Sequence, residues 1–270
     1  MIPRIIHYCW FGGNPLPESV LKYIESWKKY CPDYEIKQWN EENYDYKKCP
    51  YTLEAYEAKK WAFVSDYARL DIIYNNGGIY LDTDVELIKS LDGLLDNECF
   101  LALEQHSHLI ASGLGFGAEK GNEAIKEMLD EYRDVHFKLA NGIYNTMPPC
   151  PTRNTAPFYK HGFNPETDKP VKLGSATVYP PEYFCPYNYE DNSCNITENT
   201  VSIHHYDSSW VSDFEKELIN KVNEYKKDHS RISSTLYKNR LEAINKYGNA
   251  STISLMKMAA FKIKKRLIVK

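Results

Sequence analysis

The residues best suited to chemistry are Asp82-Thr83-Asp84, two carboxylates one residue apart, directly after the apolar run Ile79-Tyr80-Leu81. Carboxylate oxygens are hard ligands. A pair at a strand end suits a divalent cation that bridges two phosphates and acts as a Lewis acid on a departing diphosphate. Alternate residues of an extended strand point to opposite faces. Asp82 and Asp84 therefore share one ligand only if Thr83 sits in a turn; otherwise one serves the cation and the other binds ribose or sugar hydroxyls.

Other residues gain meaning from that pair. Asp66 and Arg69 lie three apart on a helical stretch and hence on one face. An exposed pair of this kind contributes only ~0–1 kcal/mol. This one sits on the more apolar side of its helix, where a carboxylate can accept from sugar hydroxyls and a guanidinium can hold a sugar or phosphate oxygen. Trp10 ends the first apolar run beside Gly12-Gly13 and is either a core residue or a face for a nucleobase. His204 and His205 end a late strand, with Ser208 and Trp210 close behind, and His205 is read as the histidine of a metal shell.

The elements that must position these groups follow from local pattern. The segment 2–11 reads as a strand that Gly12-Gly13 stops, and a helix begins at Pro17 with Val20, Leu21, Ile24 and Trp27 on one face. Residues 34–39 read as a second strand. One helix is predicted from about Leu53 to Asn75, ended by Asn76-Gly77-Gly78, and Ile79-Tyr80-Leu81 is then a buried strand. Strands are predicted over 100–103, 113–118 and 201–206, a helix over 123–137, and long loops over 148–195. Alternating strands and helices imply a parallel sheet with helices on both faces and ligands beyond the carboxyl ends of its strands. Trp10 and Asp82 both lie at such ends.

Composition narrows the class. The chain has 270 residues, 43% hydrophobic and 26% charged, which suits one substantial soluble α/β domain. A net charge of −4 excludes a nucleic-acid binder driven by bulk electrostatics. Twenty-two tyrosines supply flat faces with hydroxyls, suited to sugars and bases as well as to packing. Seven cysteines without a CxxC pair argue against a disulfide framework or zinc ribbon. No leader or membrane-spanning run is read, so a cytoplasmic compartment is expected. From Lys257 to Lys270 every charge is positive, interleaved with Met258, Phe261, Leu267 and Ile268. Residues 236–270 are read as a basic amphipathic helical tail, either solvated or docked peripherally on the anionic inner face of a membrane.

Three blocks in order, IPRIIHYCWFGG, AFVSDYARLDIIYNNGGIYLDTDV and SIHHYDSSW, resemble glycosyltransferase family 32. These are DXD-motif sugar-binding transferases related to the Golgi initiating mannosyltransferases and distantly to the clostridial glucosylating toxins. The resemblance implies a GT-A type, Rossmann-like nucleotide-sugar-binding domain over 1–235, with a mixed, mostly parallel sheet. It implies retaining, metal-dependent transfer of a hexose to a glycan or lipid-linked saccharide, as in capsule or O-antigen-like polysaccharide synthesis. A UDP-hexose donor (galactose, glucose or an N-acetylhexosamine) is favoured over GDP-mannose. By the same resemblance Trp10 stacks on the base, Ser65, Asp66 and Arg69 contact ribose and donor sugar, and Tyr80 meets the base or a phosphate. Asp82 binds ribose and sugar, Asp84 ligates Mn²⁺ or Mg²⁺ with His205 and Ser208, and Trp210 touches the β-phosphate. Asn154-Thr155-Ala156-Pro157 stands where family members often have Thr-Gly-Pro. The other classes open to such a site are a non-catalytic nucleotide-sugar-binding protein and a metal-dependent phosphoesterase or nucleotidyltransferase.

Overall fold

The computed structural model describes residues 1–139, 142, 144–188 and 193–207, with isolated positions 221, 225, 237 and 241. Residues Met1–Asp207 cluster as one compact unit and Ser208–Lys270 as a second. Ser208, Trp210 and, apart from Tyr237 and Leu241, the basic tail lie outside the described residues.

The first unit is α/β. In chain order its elements are β1 (Ile5–Cys9), α1 (Glu18–Tyr30), β2 (Glu35–Trp39), α2 (Pro50–Glu57), α3 (Trp61–Asn76), β3 (Gly78–Tyr80), β4 (Val85–Leu87) and β5 (Cys99–Ala102). Then come β6 (Phe116–Ala118), α4 (Glu123–Asp130), α5 (Cys150–Thr155), β7 (Val171–Leu173), β8 (Ala176–Tyr179), β9 (Tyr187–Asn188), β10 (Ser193–Cys194) and β11 (Ser202–His204). Seven strands form one sheet in the order β2-β1-β3-β6-β5-β8-β7, while β9 pairs with β10 and β4 with β11. β1 is parallel to β2 and β3, β5 is parallel to β8, and β6 and β7 are antiparallel to their neighbours. Five strands thus run one way, and the sheet is mixed and mostly parallel, as expected.

Strand alternation sorts the side chains into two cores. Cys9, Tyr80, Leu101 and Phe116 face the layer holding Val64, Ala68 and Ile72 of α3 and Ile125 of α4. Ile6, Tyr8, Ile79 and Phe100 face the layer holding Val20, Ile24 and Trp27 of α1. Tyr80 and its neighbours Ile79 and Leu81 therefore belong to opposite faces, which fixes the register of β3 on its way to Asp82.

Three expectations are corrected. The single helix predicted from Leu53 is two, α2 and α3, because Lys59 adopts a left-handed φ of 56° that no α-helix can pass through. The helix predicted over 123–137 stops at Asp130, and Asp134 further on has φ 58°. The segment 148–195 is not all loop: it supplies α5 and the sheet strands β7 and β8. The end of α3 is as expected. Gly77 (φ 69°) caps it through its N–H on the Ile73 carbonyl, and Gly78 (φ 105°) has no room for a side chain, since a Cβ there would lie 2.7 Å from His7 Nε2.

Candidate active site

The site is built on the tight exit from β3. Val85 N–H donates to the Asp82 carbonyl at 3.1 Å, so residues 82–85 form a turn with Thr83 and Asp84 at its centre. This meets the condition for the two carboxylates to share a ligand. β11 lies antiparallel to β4 with His204 opposite Val85, which brings the His204 imidazole to 3.2 Å from Asp84 Oδ1. Asp82, Asp84 and His204 each present a ligating atom, all within 4.8 Å of one another. The donor set of two carboxylates and one imidazole fits a divalent cation such as Mn²⁺ or Mg²⁺.

His205 is placed differently from the expectation. Neighbours on a strand point to opposite sides. With His204 facing Asp84, His205 turns to Glu86 (2.9 Å) and stacks on Tyr23 at 4.9 Å. Its contribution to Asp84 is from the backbone, the His205 N–H donating to the Asp84 carbonyl at 3.0 Å. Asp207 N–H donates to Asp84 Oδ2 at 3.1 Å. The histidine of the cluster is His204.

The other carboxylate is held from α3. Arg69 pairs with Asp66 at 3.1 Å and with Asp82 at 3.3 Å, and its side chain is only 6% exposed. Tyr80 donates its hydroxyl to Asp82 Oδ1 at 2.9 Å, and the guanidinium lies over its ring at 5.2 Å. Tyr80 is 1% exposed, so it serves as a support beneath Asp82 and Arg69 rather than as a face for a base. Ser65 spends its hydroxyl on the Trp61 and Ala62 carbonyls and offers its own carbonyl to Arg69 Nε at 2.9 Å. Trp10 directly follows β1 and is half-buried, its indole N–H on the Asn14 carbonyl.

Charge states follow from these contacts. Burial pushes the Asp82 carboxyl above its ordinary range; Arg69 draws it back and the Asp84 charge adds to the rise. Burial likewise raises Asp66, against the pull of Arg69. At Asp84 burial is outweighed by His204 and the Asp207 N–H, and the carboxyl sits below its ordinary value. The imidazolium of His204 prevails over its own burial through Asp84, so its pKa is raised.

Ser112, Gly113 and Cys150 escaped the sequence reading, and Asn154 enters it only as part of the segment that replaces Thr-Gly-Pro. Arg69 donates to Ser112 Oγ at 3.5 Å, and Asn154 Nδ2 donates to the same oxygen at 2.8 Å and to Cys150 Sγ at 3.3 Å. Asn154 is 0% exposed and its Oδ1 has no partner among the described residues. The segment that differs from the usual Thr-Gly-Pro, at the end of α5, thus backs onto the site. A Cβ on Gly113 would fall on the Asp82 carboxylate, so the glycine gives that side chain its space. The one sequence signal for it was the glycine spacing of Ser112-Gly113-Leu114-Gly115.

Residues 17–101 match the model of a family described as glycosyltransferase sugar-binding region containing DXD motif. The match covers about a third of the chain and makes residues 17–101 similar to that sugar-binding region. Inositol phosphoceramide mannosyltransferase 3 of Schizosaccharomyces pombe is 30% identical over 158 residues, covering 54% of this chain and 43% of that protein, so the chain spans less than half its length. An uncharacterized glycosyltransferase of Acanthamoeba polyphaga mimivirus is 26% identical over 78% of this chain and 84% of its own. Among solved structures, the PaToxG glycosyltransferase is similar at 20% identity and a TM-score of 0.45, over 59% of this chain and 68% of that one. That is a loose likeness of fold.

Proposed function

We propose that this protein is a metal-dependent, retaining hexosyltransferase that uses a nucleoside diphosphate sugar and glycosylates a glycan or lipid-linked saccharide, as in polysaccharide assembly. The observation that carries this reading is the turn at Thr83-Asp84, which gathers Asp82, Asp84 and His204 within reach of one ion. A bound divalent cation would neutralise the diphosphate and stabilise its departure. Asp82, Asp84 and His204 would hold it, and His204 must be neutral to do so, so cation affinity rises with pH.

The remaining roles fall to the chain itself. Arg69, fixed between Asp66 and Asp82, presents a rigid guanidinium to donor oxygens, and Asp66 accepts from sugar hydroxyls. Trp10 supplies an aromatic face for the base at the end of β1. Ser208 and Trp210 are proposed for the ion and the β-phosphate on resemblance alone. For retention we favour a same-face displacement, in which the departing phosphate takes the acceptor proton.

A UDP-hexose is the donor we favour. GDP-mannose is the second reading, supported by two Schizosaccharomyces pombe relatives named inositol phosphoceramide mannosyltransferases. The test is a panel of UDP-hexoses and GDP-mannose with Mn²⁺, Mg²⁺ or EDTA, scored by released nucleoside diphosphate. Release from one donor, lost in EDTA and in Asp84→Ala and strongly reduced in Asp66→Ala, is expected. Undiminished release by Asp84→Ala would refute the assignment.

A further inference from the structure

Beyond Asp66, Asp82 and Asp84 the sequence singles out no carboxylate for the site, but the fold supplies one at the same sheet edge. β3 and β5 run in the same direction with antiparallel β6 between them. Their carboxyl ends therefore emerge together, roughly 10 Å apart at two strand spacings. Asp82 follows β3 and Glu104 follows β5. Along this edge the order is Trp10 after β1, Asp82 after β3, Ser112-Gly113 before β6, and Glu104 after β5. With the base at Trp10 and the diphosphate at Asp82 and Asp84, Glu104 lies on the side away from the nucleoside.

Glu104 is held as a built group. Its backbone is pinned by its N–H to the Leu109 carbonyl and by the His108 N–H to its own carbonyl, both 2.9 Å. Ser107 Oγ donates to Oε2 at 2.5 Å and the Tyr206 hydroxyl to Oε1 at 3.2 Å. Tyr206 adopts a left-handed φ of 54° that sets its ring edge-on to His204, 4.2 Å between centroids. A single side chain thus connects the metal-site histidine to this carboxylate. A non-glycine residue in that conformation is uncommon and persists where its surroundings enforce it. The carboxylate is only partly buried and has about four lone-pair positions, of which two are used by these donors.

We infer that Glu104 is an acceptor-binding residue: its free lone pairs accept from adjacent hydroxyls of a polyhydroxylated ring, a saccharide or a cyclitol, and orient a further hydroxyl toward the donor sugar. The inference rests on the transferase reading. Water lacks the adjacent hydroxyls, so partition between transfer and hydrolysis reports the contact.

The experiment compares the protein with Glu104→Gln, Glu104→Asp and Tyr206→Phe variants on UDP-glucose, UDP-galactose, UDP-N-acetylglucosamine and GDP-mannose. Acceptors are octyl glycosides of glucose, galactose and mannose, and myo-inositol. Glycosylated product and free sugar are counted together. In Glu104→Gln the product-to-free-sugar ratio is expected to fall roughly tenfold or more, with a raised acceptor KM, because a charged hydrogen-bond acceptor is lost. Glu104→Asp should restore part of the ratio and Tyr206→Phe should lie between. A folding defect lowers both fluxes together, so an unchanged ratio in Glu104→Gln would overturn the inference. Donor hydrolysis without product on any of these polyols would overturn it as well. No nucleoside diphosphate from any donor would bring down the transferase reading and this inference with it.

Discussion

Two buried histidines, His7 and His204, are 1% and 8% exposed, yet the fold shifts their pKa values in opposite directions. His7 lies in the sheet, its Nδ1 accepting from the Trp39 indole at 3.0 Å and its Nε2 donating to the Gly77 carbonyl at 3.0 Å. Among the described residues no carboxylate acts on it, and burial pushes its pKa down to about 4. His204 meets Asp84, with Asp82 and Glu104 adding to the field, and burial is overcome. Burial decides what a charge costs, while the partner decides whether the cost is met. His7 is a neutral strut between β1, β2 and the end of α3; His204 is shifted toward its charged form where a metal would sit.

Function should separate them most sharply. His204→Ala is expected to weaken apparent Mn²⁺ affinity on the order of ten- to a hundredfold, and His205→Ala by less than about threefold, in metal titrations of nucleoside diphosphate release. Equal losses would erase the distinction between the two neighbours. Stability should separate the buried pair next. His7→Ala leaves the Trp39 N–H and Gly77 carbonyl unpaired beside a cavity and should cost about 2–4 kcal/mol in urea unfolding, with turnover of the folded protein nearly unchanged.

The pH response follows from the same contrast. An unfolded imidazole titrates near ~6.5 and folded His7 near about 4, so the unfolded chain binds the extra proton between these values. Stability from His7 therefore falls as pH drops through that window, by at most ~3 kcal/mol. His204, raised by Asp84, contributes fully below ~6.5, and that contribution is lost as pH rises through its folded value. Urea midpoints against pH in EDTA should show both limbs, and His204→Gln should flatten only the alkaline one. Smaller effects test Asp82, the carboxylate held chiefly by Arg69 and Tyr80. Gly113→Ala should destabilise by ~1–3 kcal/mol and lower kcat/KM by displacing Asp82. Tyr80→Phe, losing one hydrogen bond to Asp82, should cost about 1 kcal/mol in the same unfolding assay.

Much of this was legible in the chain. β1, α1 and the Gly77-Gly78 end of α3 follow from apolar period and glycine, and Asp66, Arg69, Asp82 and Asp84 do converge. What the sequence could not decide was orientation. His204 and His205 differ only in strand phase, which the register of β11 on β4 sets. The break at Lys59 carries no glycine or proline to announce it. Glu104, Ser112 and Asn154 reach the site through the antiparallel insertion of β6 and the packing of α5, long-range events with no local periodicity.

The pairing of β11 with β4 also has a consequence for the order of assembly. The bond from Asp207 to Asp84 joins residues 123 positions apart, and His204 arrives by the same late strand. During synthesis Asp82 and Asp84 emerge long before their histidine, and closing so large a loop is slow compared with local contacts. The acidic turn therefore spends its first moments with Arg69 available to Asp82 but no histidine for Asp84, and the cation site is among the last features of the unit to exist.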